Sequence, residues 1–363
     1  MNIGVPRERR PFEFRVGLTP AAVEMLVKDG HVCYVEHDAG VGAGFSDFEY
    51  EEAGAKLVYQ PQEVFGRADL LTKVARPMYE ELEWLLPNST IMGLLHLAST
   101  RQDKINVLTK KSITAIPYEK IVLPDGTVPV RRPLSQIGGA LVAQISANLL
   151  QNDSGGKGVL LGGGAGVPPA EVVIIGAGTL GYYAARAFNS LGVHMTVLDT
   201  SLDALQRIHE EFPSAVTLIS NERNLARSVA YADVVVAAVL VGGDRPVRVV
   251  TREMVRGMKP RSLLMDVSID EGGCVETSRP TTHEHPTYVE EGVIHYCVPN
   301  IPSVVARTST YAFLNAAFPF IRVVANKGLD RAVAEHKELA QAALVYKGDP
   351  RNLLIVKSRK EGE

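Results

Sequence analysis

Residues 172–181 read Val-Val-Ile-Ile-Gly-Ala-Gly-Thr-Leu-Gly, an apolar, β-rich run that breaks into Gly-x-Gly-x-x-Gly, and Asp199 follows roughly 20 residues later. Each glycine has a task. Gly176 turns the chain sharply out of a strand, Gly178 leaves room for a pyrophosphate against the backbone, and Gly181 lets the next helix pack close to the sheet. Thr179 and Leu180 fall in the first turn of that helix, whose unpaired N–H groups suit phosphate oxygens. The Asp199 carboxylate, ending a second strand, can accept bonds from an adenine ribose. A ribose phosphate would meet its negative charge among the neutral residues Thr200, Ser201 and Ala204. The pattern predicts a seat for NAD rather than NADP.

Three other residues have side chains suited to acid–base or carboxylate chemistry. Arg15, in Glu13-Phe14-Arg15-Val16-Gly17-Leu18-Thr19-Pro20, offers a planar fork that can clamp a carboxylate through two bonds, although its local spacing also fits a structural arginine. His96 ends the apolar run 90–95, where an imidazole can face a cleft and exchange protons; a hydrogen-bonded core histidine is the plainer alternative. Asp270 closes Leu-Leu-Met-Asp-Val-Ser-Ile-Asp, and ligands gather at the carboxyl ends of strands in open α/β sheets. A carboxylate there can orient an ammonium, an imine or a water, or simply cap a turn.

Two other patterns carry less. His283-Glu284-His285 and the distant Cys297 lack the spacing of a ligand set, and the two imidazoles would point oppositely along an extended segment, so a solvated loop and no metal are expected. Lys157, in the glycine-rich stretch 153–169, is followed by no Ser or Thr as a P-loop requires; a conformationally permissive loop or flap is expected.

The elements that must position these residues follow from periodicity. Residues 3–5, 32–36, 70–74, 90–95 and 114–117 read as strands, and 19–29 carries the 3.6-residue period of a helix closed by Gly30. Residues 136–151 fit a long connecting helix. Six further strands, at 172–175, 195–198, 216–219, 234–239, 263–267 and 293–297, match the two halves of a Rossmann doubly wound parallel sheet. The tail, with helical stretches at 311–325 and 329–345, is too short for a third domain. The reading is a two-domain α/β enzyme: a discontinuous substrate domain, 1–132 with 306–363, and an NAD-binding domain, 133–305, with the reactive groups in the cleft between them.

The composition agrees. The chain has 363 residues, 46% of them apolar and 22% charged, with net charge −3, enough for two ordinary domains. Its Lys/Arg clusters are short and lack aromatic interleaving, which argues against a nucleic-acid partner. The longest apolar stretches, 171–177 and 234–241, fall well short of a membrane span. The amino terminus reads as a first strand rather than a signal peptide. Cys33, Cys274 and Cys297 form no Cys-x-x-Cys pair and suit buried thiols in a reducing, cytoplasmic setting.

In the order of its motifs the chain resembles the alanine dehydrogenase and transhydrogenase-alpha family over nearly its whole length. The similar blocks are Gly4-Val5-Pro6 with Glu8, Phe14-Arg15-Val16 with Leu18-Thr19-Pro20, Leu95-His96-Leu97-Ala98, the glycine fingerprint, Asp266-Val267-Ser268-Ile269-Asp270-Glu271-Gly272-Gly273-Cys274, Arg279-Pro280-Thr281-Thr282, Asn300-Ile301-Pro302 and Arg307-Thr308-Ser309-Thr310. The resemblance implies reversible NAD-dependent oxidative deamination of L-alanine to pyruvate and ammonium. Arg15 would hold the substrate carboxylate, His96 would give and take the proton, and Asp270 would assist at the amino or carbonyl centre. Ser135, Ser220, Val239, Leu240, Val267, Ser268, Ile269 and Val298 would approach NAD, with Asn300 near the nicotinamide. A hexamer acting on a small amino acid or 2-oxo acid is the implied assembly.

One departure from the family pattern bears on substrate. The usual Lys-Val-Lys-Glu-Pro appears as Lys73-Val74-Ala75-Arg76-Pro77, so the second, substrate-binding lysine is Ala75. A charge-assisted hydrogen bond to a ligand is worth about 1.5–3 kcal/mol, or roughly tenfold to more than a hundredfold in an equilibrium. Lys73, sharing a strand face with position 75 by the two-residue period, is expected to bind substrate in its place, and Arg76 offers a second long cation. Leu134-Ser135-Gln136-Ile137-Gly138-Gly139-Ala140 replaces Met-Ser-Glu-Val-Ala-Gly-Arg, and the loop at 162–167 lacks the family's proline at position 165. A related dehydrogenase or imine reductase for another small amino acid, or a cofactor-binding homologue with little turnover, is the alternative.

Overall fold

The computed structural model describes residues 1–97, 102–239 and 247–351. The chain divides into two compact units, 1–134 with 303–363, and 135–302. Each is built on one sheet.

The first unit holds β1 (Asn2–Val5), β2 (Val32–Glu36), β3 (Lys56–Val58), β4 (Leu70–Ala75), β5 (Thr90–Leu94) and β6 (Thr114–Pro117), all parallel, in the order β3-β2-β1-β4-β5-β6. Parallel strands need crossovers, and helices such as Pro20–Lys28, Pro61–Arg67 and Gln102–Lys110 supply them. Alternation sends side chains to two cores. Ile3, Val5 and Leu70 face one that includes Phe313, Leu314 and Ile321 of the long helix Ala306–Lys327, while Leu71 and Ile91 face another with Phe65 and Leu82. The carboxy-terminal part of the chain therefore returns to complete the core of the first, and the domain is discontinuous.

Where the sequence suggested one helix over 329–345, the structure has Leu329–Glu335 and Lys337–Ala342, broken at an extended His336. The chain beyond them straightens, and Val345 forms a bridge to Ala115 beside β6.

The second unit holds β7 (Glu171–Ile175), β8 (His194–Asp199), β9 (Val216–Ile219), β10 (Val234–Ala237), β11 (Leu263–Asp266), β12 (Thr287–Glu290) and β13 (Val293–Tyr296), ordered β12-β13-β11-β10-β7-β8-β9. It is the expected doubly wound Rossmann-like sheet with one addition: β12 pairs antiparallel to β13 and caps the edge. Helix Arg131–Leu149 spans the change from one unit to the next and is longer at its start than the periodicity suggested. Among the described residues, no helix is long and apolar enough to cross a membrane.

Candidate functional site

Among the parallel strands of each sheet the order reverses once. In the second unit the reversal lies at β7, flanked by β8 and β10, and crevices beyond strand carboxyl ends at such points take ligands. Gly176 leaves β7 there at φ +98, and a Cβ on it would lie 2.5 Å from Ala238 O, beyond β10. Gly181 is tighter still, since a Cβ there would lie 1.8 Å from Gly176 O. These contacts press helix Thr179–Ser190 onto the sheet. Its N-cap, Gly178, provides no side-chain cap, so the first-turn N–H groups of Thr179, Leu180 and Gly181 receive no capping oxygen, and a Cβ built on Gly178 meets nothing within 4 Å. Open space before uncapped donors suits a pyrophosphate.

Asp199 closes β8 and receives the Ala177 N–H at 2.6 Å and the Ser201 N–H at 2.8 Å, which fixes its carboxylate beside the glycine turn. Ser220, just past β9, donates its N–H to Asp199 O at 2.8 Å. Ser135 lies one helical turn before Gly139, whose Cα packs so closely on the first turn of the cofactor-side helix that a Cβ would lie 2.4 Å from Leu180 O. Val239 follows β10, Val267 donates its N–H to Ala237 O, and Ser268 and Ile269 are buried at the exit of β11. Leu240 lies outside the described residues.

Asp270, exposed in the short 3-10 turn Ile269–Glu271, accepts the Asn300 N–H at 3.0 Å. Asn300 holds φ +55, a conformation a non-glycine residue rarely adopts, and Val298 is buried two residues before it. The fingerprint, Asp199, Ser220, Val239 and the 267–270 segment with Val298 and Asn300 thus gather at one end of one sheet.

The first unit's reversal lies at β1, between β2 and β4. The loop carrying Arg15 runs over the middle of β4, where a Cβ at Gly17 would lie 2.3 Å from Thr72 O. Arg15 is only 3% exposed, and its Nε and Nη2 bond Glu13 Oε1 and Oε2 at 2.7 and 2.6 Å, a bidentate pairing that orients the guanidinium. His96 lies two residues past β5 at φ +44 and donates its backbone N–H to Glu119 Oε1 at 2.6 Å. Burial raises the Glu119 carboxyl above its ordinary range, against the pull of the His96 charge. Glu119 Oε2 is buried and makes no hydrogen bond.

Lys73, expected to reach substrate, is instead 1% exposed, with Nζ between Glu81 Oε1 at 2.9 Å and Glu8 Oε2 at 3.1 Å. Burial opposes its charge, but the two carboxylates outweigh that and raise its pKa; desolvation raises Glu8 despite Lys73. The two-residue alternation that placed Lys73 beside position 75 fails here for a geometric reason. The register shifts between Thr72 and Ala75, so Ala75 pairs with Leu94 on the core face of Val74, whereas Lys73 lies over the Phe65 ring in the opposite core.

Lys157 pairs with Asp233 at 2.7 Å, just before β10 begins, at the end of the sheet away from the fingerprint. The three cysteines are free and buried, and burial pushes the Cys33 and Cys274 thiols up to about 12.

The chain matches known proteins closely. The profile described as the alanine dehydrogenase/PNT N-terminal domain matches residues 4–138, and the alanine dehydrogenase/PNT C-terminal domain matches 142–352. The chain belongs to the alanine dehydrogenase/PNT family. It is 43% identical over 350 residues to an alanine dehydrogenase of Methanococcus maripaludis, covering 96% of this chain and 94% of that protein. A solved L-alanine dehydrogenase structure superposes with a TM-score of 0.92 at 39% identity, covering 96% of both chains. A transhydrogenase from Sinorhizobium meliloti, at 22% identity and TM-score 0.81 over 96% of this chain and 98% of that one, shares the fold.

Within this alanine dehydrogenase/PNT family member, sequence reasoning missed the carboxylates that pair with the candidate residues. Glu13 carried a signal, standing two positions before Arg15. Glu8 stands in the Gly4-Val5-Pro6 block, where nothing pairs it with Lys73, and Glu119 and Glu81 carried no signal, because each meets its partner only through strand pairing or a helix that follows.

Proposed function

We propose that this chain is an NAD-dependent amino-acid dehydrogenase that reversibly converts L-alanine to pyruvate and ammonium. The observation that supports this reading is that the glycine fingerprint and Asp199 stand where the strand order of the second sheet reverses, with Asp270 at the same end of that sheet, while Arg15 and His96 follow β1 and β5 of the first. The names of the relatives point the same way.

The second unit's residues fit a dinucleotide: open space at Gly178, uncapped helix N–H groups and an anchored acid at the ribose position. NAD, when bound, supplies the hydride acceptor, and Asp199 disfavours a ribose phosphate through its charge. The protein's own groups do the rest. Arg15, oriented by Glu13, would grip the α-carboxylate and fix the α-carbon. His96, braced through its backbone by Glu119, would take the proton released as the amine becomes an imine and water adds. Asp270 would orient the amino group and the attacking water. In the reverse direction the same groups return the protons.

A second reading is favoured by Ala75: a related dehydrogenase whose preferred amino acid is not alanine. The test is a steady-state screen of L-amino acids with NAD, with the 2-oxo acid and ammonium quantified. NADH, pyruvate and ammonium appearing in equal amounts from L-alanine support the first reading. NADH formation from another amino acid in preference selects the second, and NADH binding without any amino-acid oxidation overturns both.

A further inference from the structure

The residue that departs from the family pattern leaves a charge deficit that neighbouring residues exceed. Ala75 removes an ammonium and a long side chain at the end of β4, and Lys73 is closed off between Glu8 and Glu81. Three other cations stand at the same strand exit. Arg10 Nε donates to Arg76 O at 2.8 Å, Lys104 Nζ donates to Pro77 O at 3.0 Å, and the Arg76 side chain itself is exposed. Arg76 and Lys104 line one small cavity together with Leu95 and Leu97, the two residues that flank His96.

The bonds that Arg10 and Lys104 make go to adjacent backbone carbonyls, which orient the cations without neutralising them. The electrostatics show the consequence. Arg10 is held below the ordinary arginine value by desolvation and then by Arg76, and Lys104 is lowered by desolvation and then by Arg10 and Arg76. Glu8, Glu81, Glu13 and Asp103 work in the opposite direction, but Glu8 and Glu81 are taken up by Lys73 and Glu13 by Arg15, so that Asp103 is one carboxylate beside three cations. Three cations that repel one another at the exit of β4 would be relieved by an anion.

Arg15 already supplies one carboxylate grip in this unit. We infer that the crevice accepts a substrate with a second acid group, an L-amino acid whose side chain ends in a carboxylate or the matching 2-oxo dicarboxylate, and that Arg10, Arg76 and Lys104 receive that second group. The volume left by the missing lysine side chain is then the room for the longer substrate. This inference rests on the second reading of the site, an amino-acid dehydrogenase whose preferred amino acid is not alanine, and it names the substrate class that Ala75 and its neighbours select.

The experiment is a fluorescence titration of the NADH-loaded full chain with 2-oxoglutarate and with 2-oxopentanoate, a five-carbon 2-oxo acid without the second carboxylate. The dicarboxylate is expected to bind at least ~10-fold more tightly, with a preference that falls as salt is raised. In Arg76→Gln/Lys104→Gln, and in each single variant should the double fail to fold, the ratio of the two affinities is expected to drop by ~10-fold or more. Equal binding of the two acids, a ratio unmoved by the substitutions, or no binding of either acid overturns the inference. Turnover is read separately. A ratio that moves as expected in a protein that oxidises no amino acid sustains the second-acid site while the proposed dehydrogenase activity falls.

Discussion

His96 and Glu119 are joined by a 2.6 Å bond from the His96 backbone N–H to the Glu119 carboxylate, across the exits of two neighbouring parallel strands. His96 holds φ +44, a conformation that costs of order 1–3 kcal/mol and persists only where its surroundings fix it. The buried carboxylate is one of the groups that fix it. Glu119→Ala should therefore lower kcat by ~10-fold to ~100-fold with little change in NADH affinity, the loss expected for one charge-assisted hydrogen bond. Glu119→Gln, which keeps an acceptor oxygen, should recover most of that loss. Stopped-flow rates with NADH titrations check both, and equal rates for the Ala and Gln variants would remove the positioning role.

Lys73 neutralises two buried carboxylates at once. Lys73→Met leaves Glu8 and Glu81 facing each other out of water, and removing one partner of a buried pair typically destabilises by about 3–5 kcal/mol. Urea unfolding at neutral pH measures this, and adding Glu81→Gln to Lys73→Met should restore part of the loss. A stability change below about 1 kcal/mol would show that the cluster is better hydrated than the 1% exposure of Lys73 indicates.

Ala75 stands where the family pattern has a lysine. Ala75→Lys should raise kcat/KM for L-alanine by ~10-fold to ~100-fold, the worth of a charge-assisted bond to the substrate acid. It should also reduce the response to dicarboxylates, by filling the volume they need. Steady-state kinetics with both substrate types on both proteins decides the matter.

The pH dependence of stability has one assignable part. Asp29, at the end of helix Pro20–Lys28, is held down to about 2 by hydrogen bonds from Arg322 and Asn326 on the long helix of the same unit. A depressed carboxylate stabilises the fold above its ordinary value of 3.8, and that contribution disappears as pH falls toward 2. Asp29→Asn should lower the urea midpoint near neutrality, and the gap from the unmodified chain should close through that acid range. A gap constant with pH would place its origin elsewhere.

How much of this was legible in the sequence depended on whether a signal was local. The glycine fingerprint and Asp199 are local, since each glycine's task is set within one strand–turn–helix, and the parallel strands announce themselves as short β-rich runs between helical periods. The β3 strand was silent because only three residues long, with Val58 alone buried. The edge strand β12 was silent because none of its four residues is buried, so no alternation showed. The split at His336 went unseen because helical periodicity on either side masks a single extended residue.

The site's supporting residues were the least legible part. The bulge in β4 reversed the face of Ala75 relative to Lys73, and nothing in five residues of sequence reports a register shift made against β5. Glu119 meets His96 only because β6 lies beside β5, and Glu81 reaches Lys73 only because its helix folds back over β4.

The central claim is that an amino acid's α-hydrogen leaves as hydride for the nicotinamide while Arg15 and His96 hold the acid and its proton. Incubating the protein with NAD and the amino acid it oxidises fastest, deuterated at C2, and weighing the NADH by mass spectrometry tests this directly. The expected product is NADH carrying one deuterium, formed at a rate that collapses in His96→Gln while NADH binding persists. Unlabelled NADH, or no amino-acid-dependent NADH from a protein that binds the cofactor, would contradict it.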